Sequence, residues 1–177
     1  MTDLDHGLMN AAACHWPQAF GLAYQLCRNR AEAEDLCQEA FVRFYSTTRA
    51  LDRSRPLLPF LLAIVRNLAH SAARRVRMDS LAMADASSAL VDPRAPDPYL
   101  EAHRSEQERI VHTALRTLSP SLRAVLFLRD GLELRYAEIG MVLGKSEDVV
   151  RVTLHRARLK MRTALAASLA ESKGPST

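Results

Sequence analysis

Apolar residues recur at intervals of three and four along most of this 177-residue chain, the spacing of helices that bury one face. The clearest stretch is 31–47, where Ala33, Leu36, Ala40, Phe41 and Phe44 form one stripe. Residues 8–28 predict an earlier helix, with Pro17 as a break. Pro56 and Pro59 mark the start of a third, which runs to about Arg77. The helical pattern resumes near Tyr99 and continues to Leu118. Ser119-Pro120 then predicts a restart, with serine as N-cap and proline at the first helical position. That helix extends to about Arg129 and stops at Asp130-Gly131. Two more follow at 135–143 and 146–169, separated by Gly144-Lys145. No segment asks to be a β-strand, so the expected fold class is all-α.

Between the helical blocks the character changes. Met78 to Pro98 is rich in Ala, Ser and Asp and closes on Pro93, Pro96 and Pro98, the composition of a flexible linker. Charge follows the same division. Residues 1–78 carry 10 Lys+Arg against 7 Asp+Glu, and 106–177 carry 12 against 8, whereas 79–105 carry 2 against 5. Two small helical domains, 1–78 and 106–177, are therefore expected around an acidic tether at 79–105. Leu81, Met83, Leu90 and Val91 leave open whether that tether docks on a partner or is simply solvated.

The pair 135–143 and 146–162 has the form of a helix-turn-helix. Gly144 suits the left-handed turn and Ser146 suits the cap of the second helix. On that second helix Val150, Leu154, Ala157 and Met161 form the stripe for burial. Asp148, Val152, His155, Arg156 and Leu159 face the other way, flanked by Arg151, Arg158 and Arg162 on one side and Lys160 on the other. A basic helix after a tight turn is what major-groove docking requires. An ordinary charged helical hairpin gives the same pattern, so this stretch alone leaves both readings open.

With both blocks laid out, the chain resembles the extracytoplasmic-function group of bacterial sigma-70 factors over residues 17–78 and 106–166. Ala33-Glu34-Asp35-Leu36-Cys37-Gln38-Glu39-Ala40-Phe41 is similar to the group's polymerase-binding pattern, A-E-D-hydrophobic-x-Q-E-x-F. The resemblance implies that Asp35, Gln38, Glu39 and Arg43 contact a coiled coil of the largest subunit of core RNA polymerase, with Phe41 and Phe44 in the core. Phe60 to Ala69 is similar to the helix that opens the −10 promoter element. It implies DNA-contacting roles for Arg66, Asn67, Arg74 and Arg75, with Arg77 in the same basic end and Arg49, Arg53 and Arg55 at the rim. Leu118 to Arg123 resembles the group's L-P-x-x-x-R, and Tyr136 to Gly140 its Y-x-E-I-A. Arg151 to Arg158 resembles the helix that reads the −35 element, which implies base or phosphate contacts at Arg151, Thr153 and Arg156, with His155 on the same face. Phe60 stands for the usual tryptophan, Ser71 for a common aspartate, Asp148-Val149 for Gly-Thr and Val152-Thr153 for Ser-Arg. These departures imply altered −10 and −35 preferences. The implied partners are core polymerase, promoter DNA and an anti-sigma factor.

Other classes fit less well. The six histidines, at 6, 15, 70, 103, 112 and 155, have no metal-binding spacing, and no phosphate loop or nucleophile elbow is present. Neither an enzyme, a metal site nor a cofactor is therefore expected. Cys14, Cys27 and Cys37 are an odd number without finger spacing, which predicts reduced core thiols and a cytoplasmic setting. No apolar run approaches the roughly 20 residues of a membrane span. The main alternative is a helix-turn-helix regulator that binds duplex DNA on its own.

Overall fold

A computed structural model describes residues 13–48, 56–82 and 105–172, with side chains at 48, 79–82 and 171–172 left aside. The expected tether lies largely outside these residues, as do Arg49, Arg53 and Arg55. Among the described residues there are seven principal helices and no strand. α1 spans Trp16–Cys27, α2 Arg30–Thr48, α3 Leu57–Ala82, α4 Glu106–Arg116, α5 Pro120–Leu126, α6 Tyr136–Leu143 and α7 Glu147–Ser172.

Most ends have a local cause, and several correct the sequence reading. The interruption expected at Pro17 is present: the helical assignment at Ala13 gives way to a turn at Cys14 and His15, and α1 restarts at Trp16 with Pro17 in its first turn, where its missing N–H costs nothing. α1 stops at Arg28, which takes the left-handed conformation at φ 61° and donates its N–H to the Tyr24 carbonyl at 2.9 Å. Asn29 then caps α2, its Oδ1 accepting the Glu32 N–H at 3.1 Å. α3 passes the expected end at Arg77 and continues to Ala82. Met78, Leu81 and Ala82 are good helix formers, and no Gly or Pro intervenes to stop it. A helix running unbroken from Tyr99 is ruled out at Ser105, whose extended backbone caps α4 in a reciprocal box with Glu108. Ser119 sits at the N-cap of α5, but its hydroxyl pairs with Ser121 Oγ at 3.3 Å and makes no side-chain cap bond.

The next departure shapes the C-terminal block. α5 passes at Leu126 into a π-helical turn, Phe127–Gly131, in which Leu132 N–H reaches back to the Phe127 carbonyl at 2.9 Å. Such a turn inserts one residue into the ladder and re-aims the side chains after it. Phe127, at the start of the turn, lies against α1: a Cβ at Gly21 would stand 2.3 Å from Phe127 Cζ, so the ring fits only because residue 21 has no side chain.

α1, α2 and α3 pack on one another, and α4, α5 and α6 each pack on α7. The two groups also pack together, α1 on α5 and α3 on α6. Their apolar residues form one continuous core, in which Leu22, Leu61, Leu62 and Val65 join Val125, Leu128, Ile139 and Val142. Two arginines bind the halves across this seam. Arg123, 4% exposed, donates to the Gln25 carbonyl of α1 at 2.8 Å and to the Leu118 carbonyl of its own half. Arg66 Nε of α3 donates to the Val142 carbonyl at the end of α6 at 3.0 Å.

Candidate nucleic-acid interface

The helix-turn-helix takes its shape from two glycines. Gly144 has φ 61° and ψ 43°, the left-handed turn that ends α6, and both its N–H and that of Lys145 bond back to the Gly140 carbonyl. A Cβ at Gly140 would lie 2.7 Å from the Lys145 carbonyl oxygen, so the chain turns this tightly only over a bare backbone. Ser146 occupies the start of α7, its carbonyl accepting the Val150 N–H at 3.0 Å. At the other end of α6, the Arg135 N–H and guanidinium both bond Glu138, and the side-chain bond from Arg135 holds the carboxyl below the ordinary range.

On α7 the expected stripe is buried: Val150, Leu154 and Ala157 are inaccessible and Met161 partly so. The opposite face is open. His155 and Arg156 project from it beside Val152 and Leu159, about half exposed. Arg151 lies on its flank with a fixed orientation, its guanidinium 5.2 Å from the centroid of the Tyr136 ring. Arg129, carried out of the π turn, stands at the same distance from that ring and also donates to the Leu134 carbonyl at 2.8 Å. The neighbouring Asp130 pairs with Arg158. Thr153 is half-buried, and its hydroxyl donates to the Val149 carbonyl at 2.6 Å. The face thus offers an imidazole and a guanidinium in the open, with a second guanidinium held against an aromatic ring.

α3 carries the second candidate surface. Asn67, Arg74 and Arg75 are exposed. Arg66, one residue from Asn67, is engaged by the Val142 carbonyl instead of facing solvent freely. Phe60 packs towards the core, 5.8 Å from the Phe44 ring. Close by, His70 is held below its ordinary pKa, first by burial and then by the Arg66 and Lys145 charges, which come from the two sides of the seam.

The third surface is on α2. Its buried stripe is Ala33, Leu36, Cys37, Ala40, Phe41 and Phe44. Asp35, Gln38, Glu39 and Arg43 emerge together on the exposed side, around a Val42 that is 67% exposed. Glu39 and Arg43 form an ion pair one turn apart. The structure therefore brings the four α2 positions onto one face and the three exposed α3 positions onto one helix. It separates the α7 positions into two open, one stacked and one half-buried.

Sequence reasoning missed the contact of the Tyr136 ring with two arginines, the Asp130–Arg158 pair, and the use of Arg66 and Arg123 across the seam. The cysteines agree with the core reading in part. Cys37 is buried and Cys27 half-buried, while Cys14 is exposed. Burial pushes the Cys27 thiol up to about 11 and the Cys37 thiol up to about 12. Among the described residues no His, Cys, Asp and Glu cluster could hold a metal ion, and no helix is long and apolar enough to cross a membrane.

A basic second helix on a tight turn is the arrangement that helix-turn-helix DNA-binding proteins share. Comparison with known proteins makes this specific. Residues 12–78 match the family model of sigma-70 region 2, and 108–161 match that of sigma-70 region 4. The chain is 33% identical to the ECF sigma factor SigE of Mycolicibacterium smegmatis, over 89% of this chain and 61% of that one. It is 30% identical to the sigma factor CarQ of Myxococcus xanthus, over 86% of each. The fold is similar to that of the sigma factor RpoE from Bartonella quintana, solved with the anti-sigma factor NepR, with TM-score 0.73, 19% identity and coverage of 90% of this chain and 97% of that one. The chain belongs to the extracytoplasmic-function group of the sigma-70 family. It spans about half the length of the first curated relatives it matches.

Proposed function

We propose that this protein directs core RNA polymerase to specific promoters and starts DNA-templated transcription there, acting by binding and not as a catalyst. In this reading α2 grips core polymerase through Asp35, Gln38, Glu39 and Arg43. Asn67, Arg74, Arg75 and, once released, Arg66 hold the strand separated at the −10 element. Cations serve its backbone, and Asn67 offers a hydrogen-bonding amide to an unstacked base. Arg151, Thr153, His155 and Arg156 engage the −35 element in the major groove, with Arg151 suited to a guanine edge or a phosphate. The protein works inside the cell, where polymerase and promoter are found.

The observation that carries this reading is the α2 face. A regulator that binds duplex DNA alone has no need for four polar residues and an exposed valine grouped on a helix remote from its reading head. An anti-sigma partner is proposed by analogy with RpoE, solved with one. Transcription with purified core polymerase on a fragmented genomic library tests the whole. Discrete transcripts appearing only with this protein are expected, and D35A/E39A should abolish them without loss of folding. Duplex binding with no transcripts and no association with core would assign the chain to stand-alone regulators.

A further inference from the structure

The open face of α7 has a feature that its cations do not account for. Two of the exposed side chains in its first two turns are valines, Val149 at 45% and Val152 at 50% exposure. A single exposed apolar side chain is ordinary on any protein surface. These two lie one turn apart and form a continuous apolar strip. At 100° per residue Val152 falls on the midline of the face, with His155 and Arg156 one turn ahead on either side of it. The neighbouring polar groups leave that central place to it. Arg151 is drawn to the flank by the Tyr136 ring, and the one hydroxyl of these turns, on Thr153, is turned back onto the Val149 carbonyl at 2.6 Å. Asp148 shares the face; an ionised carboxylate only accepts hydrogen bonds, so it is repelled by phosphate and suits the amino group of a base.

We infer that Val152, with Val149 beside it, is a specificity-determining contact for the C5 methyl group of a thymine in the −35 element. The inference rests on the −35 role proposed above for α7. In a helix-turn-helix the first turns of the second helix approach base edges. A branched hydrocarbon side chain makes no hydrogen bond there, so it cannot tell a donor from an acceptor. It recognises the one apolar group that a standard base pair displays in the major groove, the thymine methyl. Contact between the two takes apolar surface of both partners out of water. Any other base at that place sets the valine against a polar edge and forfeits the gain. His155 and Arg156, next along the same face, supply the attraction to DNA that brings Val152 to the groove floor.

The test uses core polymerase reconstituted with the full chain, and a duplex carrying the −35 element mapped from its own transcripts. Each thymine of the element is replaced in turn by uracil, which removes the methyl and keeps every hydrogen-bonding group. One or two of these replacements should weaken binding about fourfold, the worth of one buried methyl. V152A, at a half-exposed position that the fold does not depend on, should weaken binding of the thymine duplex by a similar factor. It should then bind the uracil duplex no worse than the thymine one. R156A should weaken both duplexes and keep the uracil penalty. L159A should also keep it, since Leu159 is as exposed as Val152 but two turns further along α7. A mapped element without an A·T pair would overturn the contact. So would silence of every uracil replacement, or a uracil penalty that V152A retains in full, even where R156A still weakens binding and the −35 role stands. Absence of any transcript would overturn the −35 role itself, and this contact with it.

Discussion

Tyr136 shows how one side chain can set the aim of another. Two guanidiniums stand over its ring, from Arg129 and Arg151, each 5.2 Å from the centroid. A cation against an aromatic ring at a partly exposed site is worth about 0.5–1 kcal/mol. Arg151 thus has fewer rotamers left to lose, which favours the −35 contact proposed for it. Tyr136→Leu should weaken binding of promoter duplex by reconstituted polymerase about two- to fivefold, and Tyr136→Phe should restore it, as read from titrations on labelled −35 fragments. Gly140 makes a harsher test. Any Cβ there meets the Lys145 carbonyl, a backbone atom with no room to yield, so Gly140→Ala should cost about 1–3 kcal/mol in denaturant unfolding. The cysteines should separate by reactivity. At pH 8 Cys14 should be alkylated first, while Cys37, buried and raised to about 12, should react only on unfolding; mass spectrometry of timed samples will show the order.

At the scale of elements, the helices that bury a stripe were the legible ones. In α2 and α7, burial follows the three-and-four spacing of residues such as Ala33, Phe44, Val150 and Leu154, because side chains at that spacing share one helix face. The exposed α2 face was legible for the complementary reason, since positions 35, 38, 39 and 43 fall where the stripe does not. Less could be read where a residue does two jobs. Phe127-Leu128-Arg129-Asp130-Gly131 reads as the end of an ordinary helix, and only the packing of Phe127 on Gly21 and of Arg129 on Tyr136 selects the wider π turn. Arg66 reads as a DNA contact and Arg123 only as the end of an L-P-x-x-x-R match, because an arginine that satisfies carbonyls on another element has no spacing of its own. Arg123→Met should cost about 2–3 kcal/mol, since the Gln25 and Leu118 carbonyls lose their donor; chemical denaturation will measure it.

For the molecule as a whole, the seam between the halves is where pH should act. His70 has its pKa lowered by burial and by the Arg66 and Lys145 charges. The packed state therefore resists a proton that the unfolded chain accepts at about 6.5. Stability from this source is intact above that value and falls as pH drops below it, until the lowered folded-state pKa is reached. Unfolding midpoints measured from pH 7.5 to 5.5 should decline, and His70→Gln should flatten part of that decline.

The bond from Arg66 to the Val142 carbonyl has a further consequence for experiments on this protein. In the proposed function a single guanidinium cannot serve a carbonyl and a nucleic acid at once, so deleting Arg66 releases a latch and removes the proposed DNA contact together. Transcription by Arg66→Ala will report the difference between two opposed effects, and near-normal output would not show that the residue is idle. Gly144→Asn separates them. Asparagine accepts the left-handed turn, while its side chain enters the space where Arg66 Nη2 now lies 2.7 Å from a Cβ. That variant should loosen the latch with Arg66 itself intact, and under the proposed function it should need less core polymerase for half-maximal output.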